Sequence, residues 1–212
     1  MSSLVVYLFL IAGAIALAVI GLRVVSRYRS TPCPAWLVPL LENPYMNALA
    51  GSQVLLERAD IRAGMSVLDV GCGPGRVAIP AADRLGPSGR VVALDVQAAM
   101  IRRLEERVAA LAIENVETIL GAAGEGRVPK DTFDRAFLVT VLGEIVDQVA
   151  ALKEVYRALK PGGILSVTEV IPDPHFQSRR RVRRLAESVG FRFDELSGPW
   201  YAFTMNLVKP VA

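Results

Sequence analysis

The pattern of apolar and polar positions changes twice along the chain. Residues 4–22 form an apolar run without a charged side chain. A stretch over 26–43 follows, and its three prolines forbid a continuous helix. Beyond it, short apolar runs of strand length alternate with segments whose apolar residues recur at helical spacing. The pattern predicts an apolar helix within residues 1–25, a linker over 26–43 and a folded domain over 44–212.

The first apolar run has the length of a membrane span. A helix over this run extends roughly 28 Å, close to a bilayer core of about 30 Å. Arg23, Arg27 and Arg29 follow the run, whereas a signal peptide has its basic residues before the apolar part. A signal peptide and a buried core helix remain as alternatives. Because arginines mark the cytoplasmic end of a span, we expect a single-pass anchor in the cell membrane and a cytoplasmic folded domain.

The folded domain is predicted to alternate between strands and helices. The strands are expected over 66–70, 90–95, 116–120, 135–139, 163–170, 191–196 and 202–208. The helices are expected over 47–61, 77–85, 98–111, 149–159 and 179–189. This alternation is typical of an α/β fold, here a doubly wound, mainly parallel seven-stranded sheet with helices on both faces. Near the end of the chain, the aromatic residues are interpreted as core residues, with a wall of the acceptor site as the alternative: Trp200, Tyr201 and Phe203.

The charge of the chain is concentrated in its first part. The formal net charge is +3, and residues 1–31 carry three arginines and no acid. The rest of the chain is balanced, so its composition argues against a nucleic-acid-binding surface. A dense basic cluster remains at 179–184. It is interpreted either as the solvated face of an amphipathic helix or as a contact for anionic lipid or substrate.

A glycine loop follows the first predicted strand. The sequence VLDVGCGPGR places Gly71, Gly73 and Gly75 between that strand and a helix. A dinucleotide-binding loop would have its third glycine at position 76, which is Arg76 here, and Asp69 beside the loop repels phosphate and attracts a cation. These features favour a nucleoside with a cationic tail over a dinucleotide.

The sequence resembles the class I S-adenosylmethionine-dependent methyltransferases over roughly residues 44–208. Their first motif is similar to VLDVGCGPGR, the acid after their second strand corresponds to Asp95, and FDRAFLVTVLGEI and LKPGGILSVTE are similar to their fourth- and fifth-strand segments. The branch that methylates quinones and small molecules is most similar. The resemblance implies a Rossmann-like fold and S-adenosylmethionine as methyl donor, with no metal.

The resemblance also implies which residues bind the donor. Asp69 would hold the ammonium group, the glycine loop the methionine part, and Asp95 the ribose, although Asp95 also fits an N-cap of the following helix. Tyr45 would close over the donor. Gln97 or Met100 would border the adenine, with Met100 as an apolar wall. The donor site would further include Cys72, Val96, Ala122 and Ala123. The family often has an acid where Ala122 stands, so a backbone group or Glu125 would have to replace it. Cys72 is expected to be a small loop residue rather than a nucleophile, because no histidine lies near it in sequence to activate its thiol.

The acceptor side offers candidates for a proton acceptor. Methyl transfer depends mainly on alignment, and a base is needed only if the acceptor loses a proton. Glu144, Glu169 and His175 lie near the ends of the fourth and fifth strands, and we select Glu144 and His175 as catalytic candidates. The anchor favours an acceptor that is dissolved in the bilayer, such as a quinone or a phospholipid. A non-catalytic nucleotide-binding scaffold and an NAD-dependent reductase are the alternatives, and the oligomeric state stays open.

Overall fold

The computed structural model describes residues 50–171 and 173–211, together with the single residues Tyr7, Gly13 and Gly21. The predicted linker over 26–43 and Tyr45 lie outside the described residues, as does nearly all of the predicted anchor over 1–25. None of the helices within the described ranges combines the length and the apolar character of a membrane span.

Helices and strands alternate through the described part of the folded domain. The helices are α1 (Ser52–Arg58), α2 (Ala78–Leu85), α3 (Ala98–Ala110), α4 (Gln148–Ala158) and α5 (Arg179–Ser188). The strands are β1 (Ser66–Val70), β2 (Arg90–Asp95), β3 (Val116–Leu120), β4 (Phe133–Val139), β5 (Leu159–Val170), β6 (Arg192–Ser197) and β7 (Ala202–Val208). β1, β2, β3 and β7 have the predicted bounds, and the other elements differ by one to four residues at an end. The predicted start of the first helix, at residue 47, lies outside the described residues.

The seven strands form one sheet in the order β3-β2-β1-β4-β5-β7-β6. β1 to β5 are parallel, whereas β7 runs antiparallel to both β5 and β6. The prediction of a mainly parallel seven-stranded sheet is therefore confirmed. Because the parallel strands all end on the same side, the loops after them gather at one edge, which we call the carboxyl edge.

β5 starts earlier than the sequence predicts. It begins at Leu159, which pairs with Phe133 before the register of the two strands shifts. Within the irregular part, Gly162 has a φ of +79°, and its N–H donates to the carbonyl of Lys209. The irregularity accommodates Pro161, which has no N–H to donate to a regular ladder. The sequence predicts a helix to residue 159 and a strand from residue 163, but residues 159–162 form a bulged entry to β5.

Helices cover both faces of the sheet. Successive side chains of a strand point to opposite faces, so Val67 and Leu68 of β1 belong to different apolar layers. Leu68 packs in the layer that contains Leu152 of α4, and Val67 packs in the layer that contains Leu104 of α3. The two layers fix β1, and with it the loop that follows, between buried side chains.

The aromatic residues near the end of the chain do not all lie in the core. Phe203 is fully buried, Tyr201 is half-buried, and Trp200 is 67% exposed. The interpretation of Trp200 as a core residue is therefore wrong. Trp200 lies in the turn between β6 and β7, where the alternation of buried and exposed strand positions no longer applies.

Candidate active site

A cavity of about 560 Å³ lies at the carboxyl edge, where the loops after β1, β2, β3 and β4 meet. It brings together most of the residues that the sequence selected for a donor site. The predicted residues that line it are Asp69, Gly71, Cys72, Gly73, Asp95, Val96, Gln97, Met100, Ala122, Ala123 and Glu144. Gly75 and His175 are not among the lining residues.

The three glycines after β1 have different surroundings. A Cβ on Gly71 would lie 2.5 Å from the side chain of Val141, so the loop packs directly against the segment after β4. Gly73 has a φ of +53° and would meet no atom within 4 Å, so its backbone faces open space in the cavity. Gly75 lies behind the loop, and a Cβ there would lie 2.5 Å from Leu104. Gly75 therefore lets the loop pack on α3, and Gly73 leaves room for a ligand.

Asp69 places a buried carboxyl at the floor of the cavity. The side chain is 2% exposed, and its Oδ2 has no hydrogen-bond partner among the described residues. Burial, with a smaller contribution from the charge of Asp95, raises the pKa of Asp69 to about 7. A buried acceptor without a partner is costly, whereas a cationic group beside it would satisfy the acceptor and favour the ionised form. Asp69 therefore fits the ammonium group of S-adenosylmethionine.

Asp95 joins the glycine loop to the start of α3. One carboxylate oxygen accepts from the N–H of Gly73 at 2.9 Å, and the other accepts from the N–H of Gln97 at 2.8 Å. The residue at the N-cap position of α3 is Gln97, so the alternative interpretation of Asp95 as this cap is wrong. Each carboxylate oxygen keeps a second lone pair, so both can still accept from ribose hydroxyls.

The loop after β3, residues 121–128, is supported by a residue that sequence reasoning missed. The buried carboxylate of Glu154, on α4, accepts from the N–H of Gly124 and from that of Val128, the latter at 3.0 Å. Glu125, the other residue that could replace the missing acid at Ala122, also lines the cavity. Its carboxylate binds Arg127 at 2.6 Å and accepts only a longer bond of 3.4 Å from the N–H of Ala122.

A sequence signal for Glu154 did exist. Ala151, Leu152, Val155 and Ala158 form the buried stripe of α4, and Glu154 falls inside that stripe. An acid at such a position is rarely left without a partner, because burial of an unpaired carboxylate is costly. The two backbone N–H groups of the loop are that partner.

Cys72 is buried within the glycine loop. Its thiol donates to the carbonyl of Gly73, and burial, together with the carboxyls of Asp69 and Asp95, raises the pKa of the thiol. A nucleophilic cysteine needs a lowered pKa. The geometry therefore agrees with a small loop residue.

A second group of polar side chains lies beside the cavity, after β4 and β5. Glu144 lines the cavity, and its Oε1 is 3.9 Å from Nδ1 of the buried His175. Asp173 Oδ1 lies 3.8 Å from the same nitrogen, and Nε2 of His175 has no partner among the residues described. Glu144 thus connects His175 to the cavity, although His175 does not line it.

Glu169 fixes the loop that carries His175. Its Oε2 accepts from the N–H of Gln177 at 2.9 Å, and the side-chain amide of Gln177 donates to the carbonyl of His175 at 2.6 Å. Burial raises the pKa of Glu169 to about 8. Gly143 lies directly under this loop, and a Cβ there would collide with the carbonyl oxygen of His175. The loops after β4 and β5 therefore pack backbone to backbone.

Comparison with known proteins agrees with this geometry. A family model described as a methyltransferase domain matches residues 61–189. Nocamycin O-methyltransferase from Saccharothrix syringae is 34% identical over 120 residues, 57% of this chain and 43% of that protein. Demethylmenaquinone methyltransferase from Listeria monocytogenes is 38% identical over 106 residues, 50% of this chain and 45% of that protein. The matched part of the chain thus spans less than half the length of these relatives.

The fold has a close counterpart among solved structures. The crystal structure of a SAM-dependent methyltransferase from Aquifex aeolicus superposes with a TM-score of 0.75 and 25% sequence identity. The superposition covers 83% of this chain and 98% of that protein. It includes nearly the whole of the relative, so the arrangement of strands and helices described above is shared throughout.

Proposed function

The chain belongs to this family of methyltransferase domains, and we propose that the protein transfers the methyl group of S-adenosylmethionine to a hydrophobic or amphipathic small molecule. One observation carries the proposal. A single cavity is lined both by the buried carboxyl of Asp69, which fits a cationic donor, and by Glu144, which leads to His175. The donor and a proton acceptor would therefore face the same space.

The donor half is built by β1, β2 and β3. Asp69 would pair with the ammonium group, the open backbone at Gly73 would leave room for the methionine part, and Asp95 would accept from the ribose hydroxyls. Glu154 would act indirectly by holding the loop that borders the adenine. S-adenosylmethionine supplies the activated methyl group, and the protein has only to hold it in line with the acceptor.

The acceptor half is built by the segment after β4. Val139, Val141, Ile145 and Val146 give this side of the cavity apolar walls, which the carboxylates of Glu144 and Asp147 interrupt. Asp147 is engaged as the cap of α4 by the N–H of Ala150, so Glu144 is the candidate for the chemistry. If the acceptor is a hydroxyl, the Glu144–His175 pair would accept its proton as the oxygen attacks. The carboxylates of Glu144 and Asp173 would stabilise the protonated imidazole.

The apolar walls favour a quinone-like acceptor. One relative is named for demethylmenaquinone and another for O-methylation. The apolar run at 4–22 supports the same class, because a membrane anchor would keep the cavity close to an acceptor dissolved in the bilayer. In this proposal the anchor spans the cell membrane and the methyltransferase domain faces the cytoplasm.

The test is a search for the methylated product. The purified full chain is incubated with S-adenosylmethionine labelled at the methyl group and with a total lipid extract, and the labelled product is identified after chromatography. We expect label in the quinone fraction, and a variant lacking residues 1–31 should lose activity on vesicles but not on a detergent-dispersed acceptor. Label only in water-soluble compounds, with no effect of the deletion, would contradict a lipid acceptor.

Donor binding distinguishes the enzyme from a scaffold. Titration calorimetry with S-adenosylmethionine should show binding to the full chain and strongly reduced binding to the Asp69→Asn variant. No detectable binding to the unaltered chain would instead favour a non-catalytic scaffold. Binding of NAD but not of S-adenosylmethionine would favour a reductase.

A further inference from the structure

Several exposed apolar side chains lie at the carboxyl edge. Val146 is 86% exposed in the loop before α4, and Trp200 is 67% exposed in the turn between β6 and β7. Four further exposed apolar residues lie at the same edge. Val96 follows β2, Leu120 ends β3, Val149 is in the first turn of α4, and Leu196 is near the end of β6. Val96 and Val146 also line the cavity. Two of the exposed apolar side chains therefore belong to the cavity itself, Val146 on the side of the proposed acceptor site.

Arginines of α5 lie beside this apolar surface. α5 begins at the carboxyl edge because it follows β5. Arg179 donates to the carbonyl of Gly198 at 2.7 Å, in the turn that carries Trp200, and Arg181 donates to Gln148 at 2.9 Å, in the first turn of α4. Arg180, between them, is exposed. Arg179 is therefore held at the turn of Trp200 and Arg181 at the start of α4, while Arg180 extends from the same helix turn into solvent.

The position of these arginines does not stabilise helix α5. The first turn of a helix carries partial positive charge, so a cation there destabilises it by about 0.3–1 kcal/mol. The first turn of α5 contains three arginines and no acid. Nearby acids are already engaged, since Asp147 caps α4 by accepting from the N–H of Ala150 and Glu125 binds Arg127. An external anion would offset both the helix dipole and the arginine charges.

Trp200 adds the second property of a membrane-facing surface. Its ring stands edge to face against Tyr201, with the ring centres 5.6 Å apart. Tryptophan and tyrosine favour the boundary between acyl chains and headgroups, because their rings combine an apolar body with a polar atom. A flat surface that combines such rings with arginines fits an anionic lipid surface better than it fits a small soluble ligand.

We propose that the carboxyl edge docks on an anionic lipid bilayer. Trp200 and Val146 would enter the interface, Arg179, Arg180 and Arg181 would contact lipid phosphates, and the cavity would open directly towards the acyl chains. The inference rests on the proposed function, since only a lipid-dissolved acceptor makes this orientation useful. An anchor alone ties the domain to the bilayer but does not decide which face meets it.

The test uses the fluorescence of Trp200 in the full chain. The chain has two tryptophans, so Trp36→Phe leaves Trp200 as the single reporter. The variant is bound to vesicles of phosphatidylglycerol and phosphatidylcholine, and flotation verifies that it is bound. We expect a blue shift of the emission and a loss of intensity when the acyl chains are brominated.

Two controls lie at the opposite edge of the sheet. In a chain with Trp36→Phe and Trp200→Phe, Leu111→Trp places the reporter at the end of α3, where residue 111 is 57% exposed, and its emission should not be quenched. Arg180→Ala should lower the equilibrium constant for docking of the carboxyl edge on the phosphatidylglycerol vesicles about five-fold. Arg192→Ala, an exposed arginine at the start of β6, should have no effect.

The outcomes separate this proposal from the enzyme activity. Unquenched Trp200 in bound protein, equal quenching of the tryptophans at 200 and 111, or failure of the chain to float would overturn the docking surface. A blue shift that depends on protein concentration without bromine quenching would assign the surface to a second copy instead. None of these readouts requires methyl transfer, so a quenched Trp200 without donor binding would sink the proposed function alone.

Discussion

Replacing Asp69 by asparagine should stabilise the free protein while weakening the donor site. The pKa of Asp69 in the folded protein is about 7, above its ordinary value of 3.8, because burial disfavours the ionised form. Folding therefore favours the protonated carboxyl. The stability that this carboxyl contributes is fully present below about pH 4 and is lost as the pH rises through about 7.

The size of the effect follows from the shift of about three pKa units. Each unit corresponds to about 1.4 kcal/mol, so the ionised carboxyl destabilises the folded protein by about 4 kcal/mol well above pH 7. Asparagine has nearly the same shape and cannot ionise. The unfolding free energy of Asp69→Asn should therefore exceed that of the unaltered chain by a margin that increases by about 2 kcal/mol between about pH 5.5 and about pH 8.5.

The assay is denaturant unfolding at both pH values, together with calorimetric titration of S-adenosylmethionine. Loss of one partner of a buried charge pair costs about 2 kcal/mol or more, so donor affinity should fall at least roughly 30-fold. Glu106→Gln, on the exposed face of α3, is the matched control and should change neither quantity. A pH-independent gain for Asp69→Asn, or unchanged donor affinity, would refute this account of the carboxyl.

Three further predictions concern the other buried groups of the site. Glu154→Ala leaves two backbone N–H groups without an acceptor, so the unfolding free energy should fall by about 2–4 kcal/mol and donor affinity should fall with it, whereas Glu106→Ala should leave both unchanged. Glu144→Gln and His175→Gln should each lower the methyl-transfer rate by about 10²–10⁴-fold at saturating donor, with donor affinity retained, if the acceptor loses a proton. Equal losses in rate and in donor binding would show that the pair is structural. Glu169, whose pKa of about 8 lies above its ordinary value of 4.5, contributes stability that is lost as the pH rises through about 8, so thermal unfolding of Glu169→Gln between about pH 6 and about pH 9 should lack that decline.

The sequence predicted the centre of the sheet well because β1 and β2 are buried on both faces. β1 and β2 are short apolar runs between turn residues. In a chain where strands alternate with helices, such runs are best explained as buried strands. The predicted start of β5 was wrong. Pro161 and Gly162 usually end helices, and the bulged pairing with β4 depends on a strand that is distant in sequence. Local sequence does not record a register shift.

The candidate site was predicted in part for a similar reason. Asp69 and Asp95 lie at the carboxyl ends of β1 and β2, so their place at the carboxyl edge depends on topology alone, and both line the cavity. Glu154 was missed because its partners are backbone groups of a loop 26–30 residues away in the chain. The place of Gly75 behind the loop depends on the packing of Leu104, which periodicity along α3 does not specify.

The contact at Gly143 has a consequence for any mutational survey of this protein. Gly143 does not line the cavity, but a side chain there would push the backbone of His175 away from β4. The displaced loop reaches one apolar layer through Phe176, which packs against Phe203, but the side chains of the strands and helices in both layers would remain packed. A screen for inactive yet well-expressed variants would therefore select position 143 as strongly as the charged residues of the site. Intolerance to substitution alone would then wrongly suggest that Gly143 takes part in the reaction.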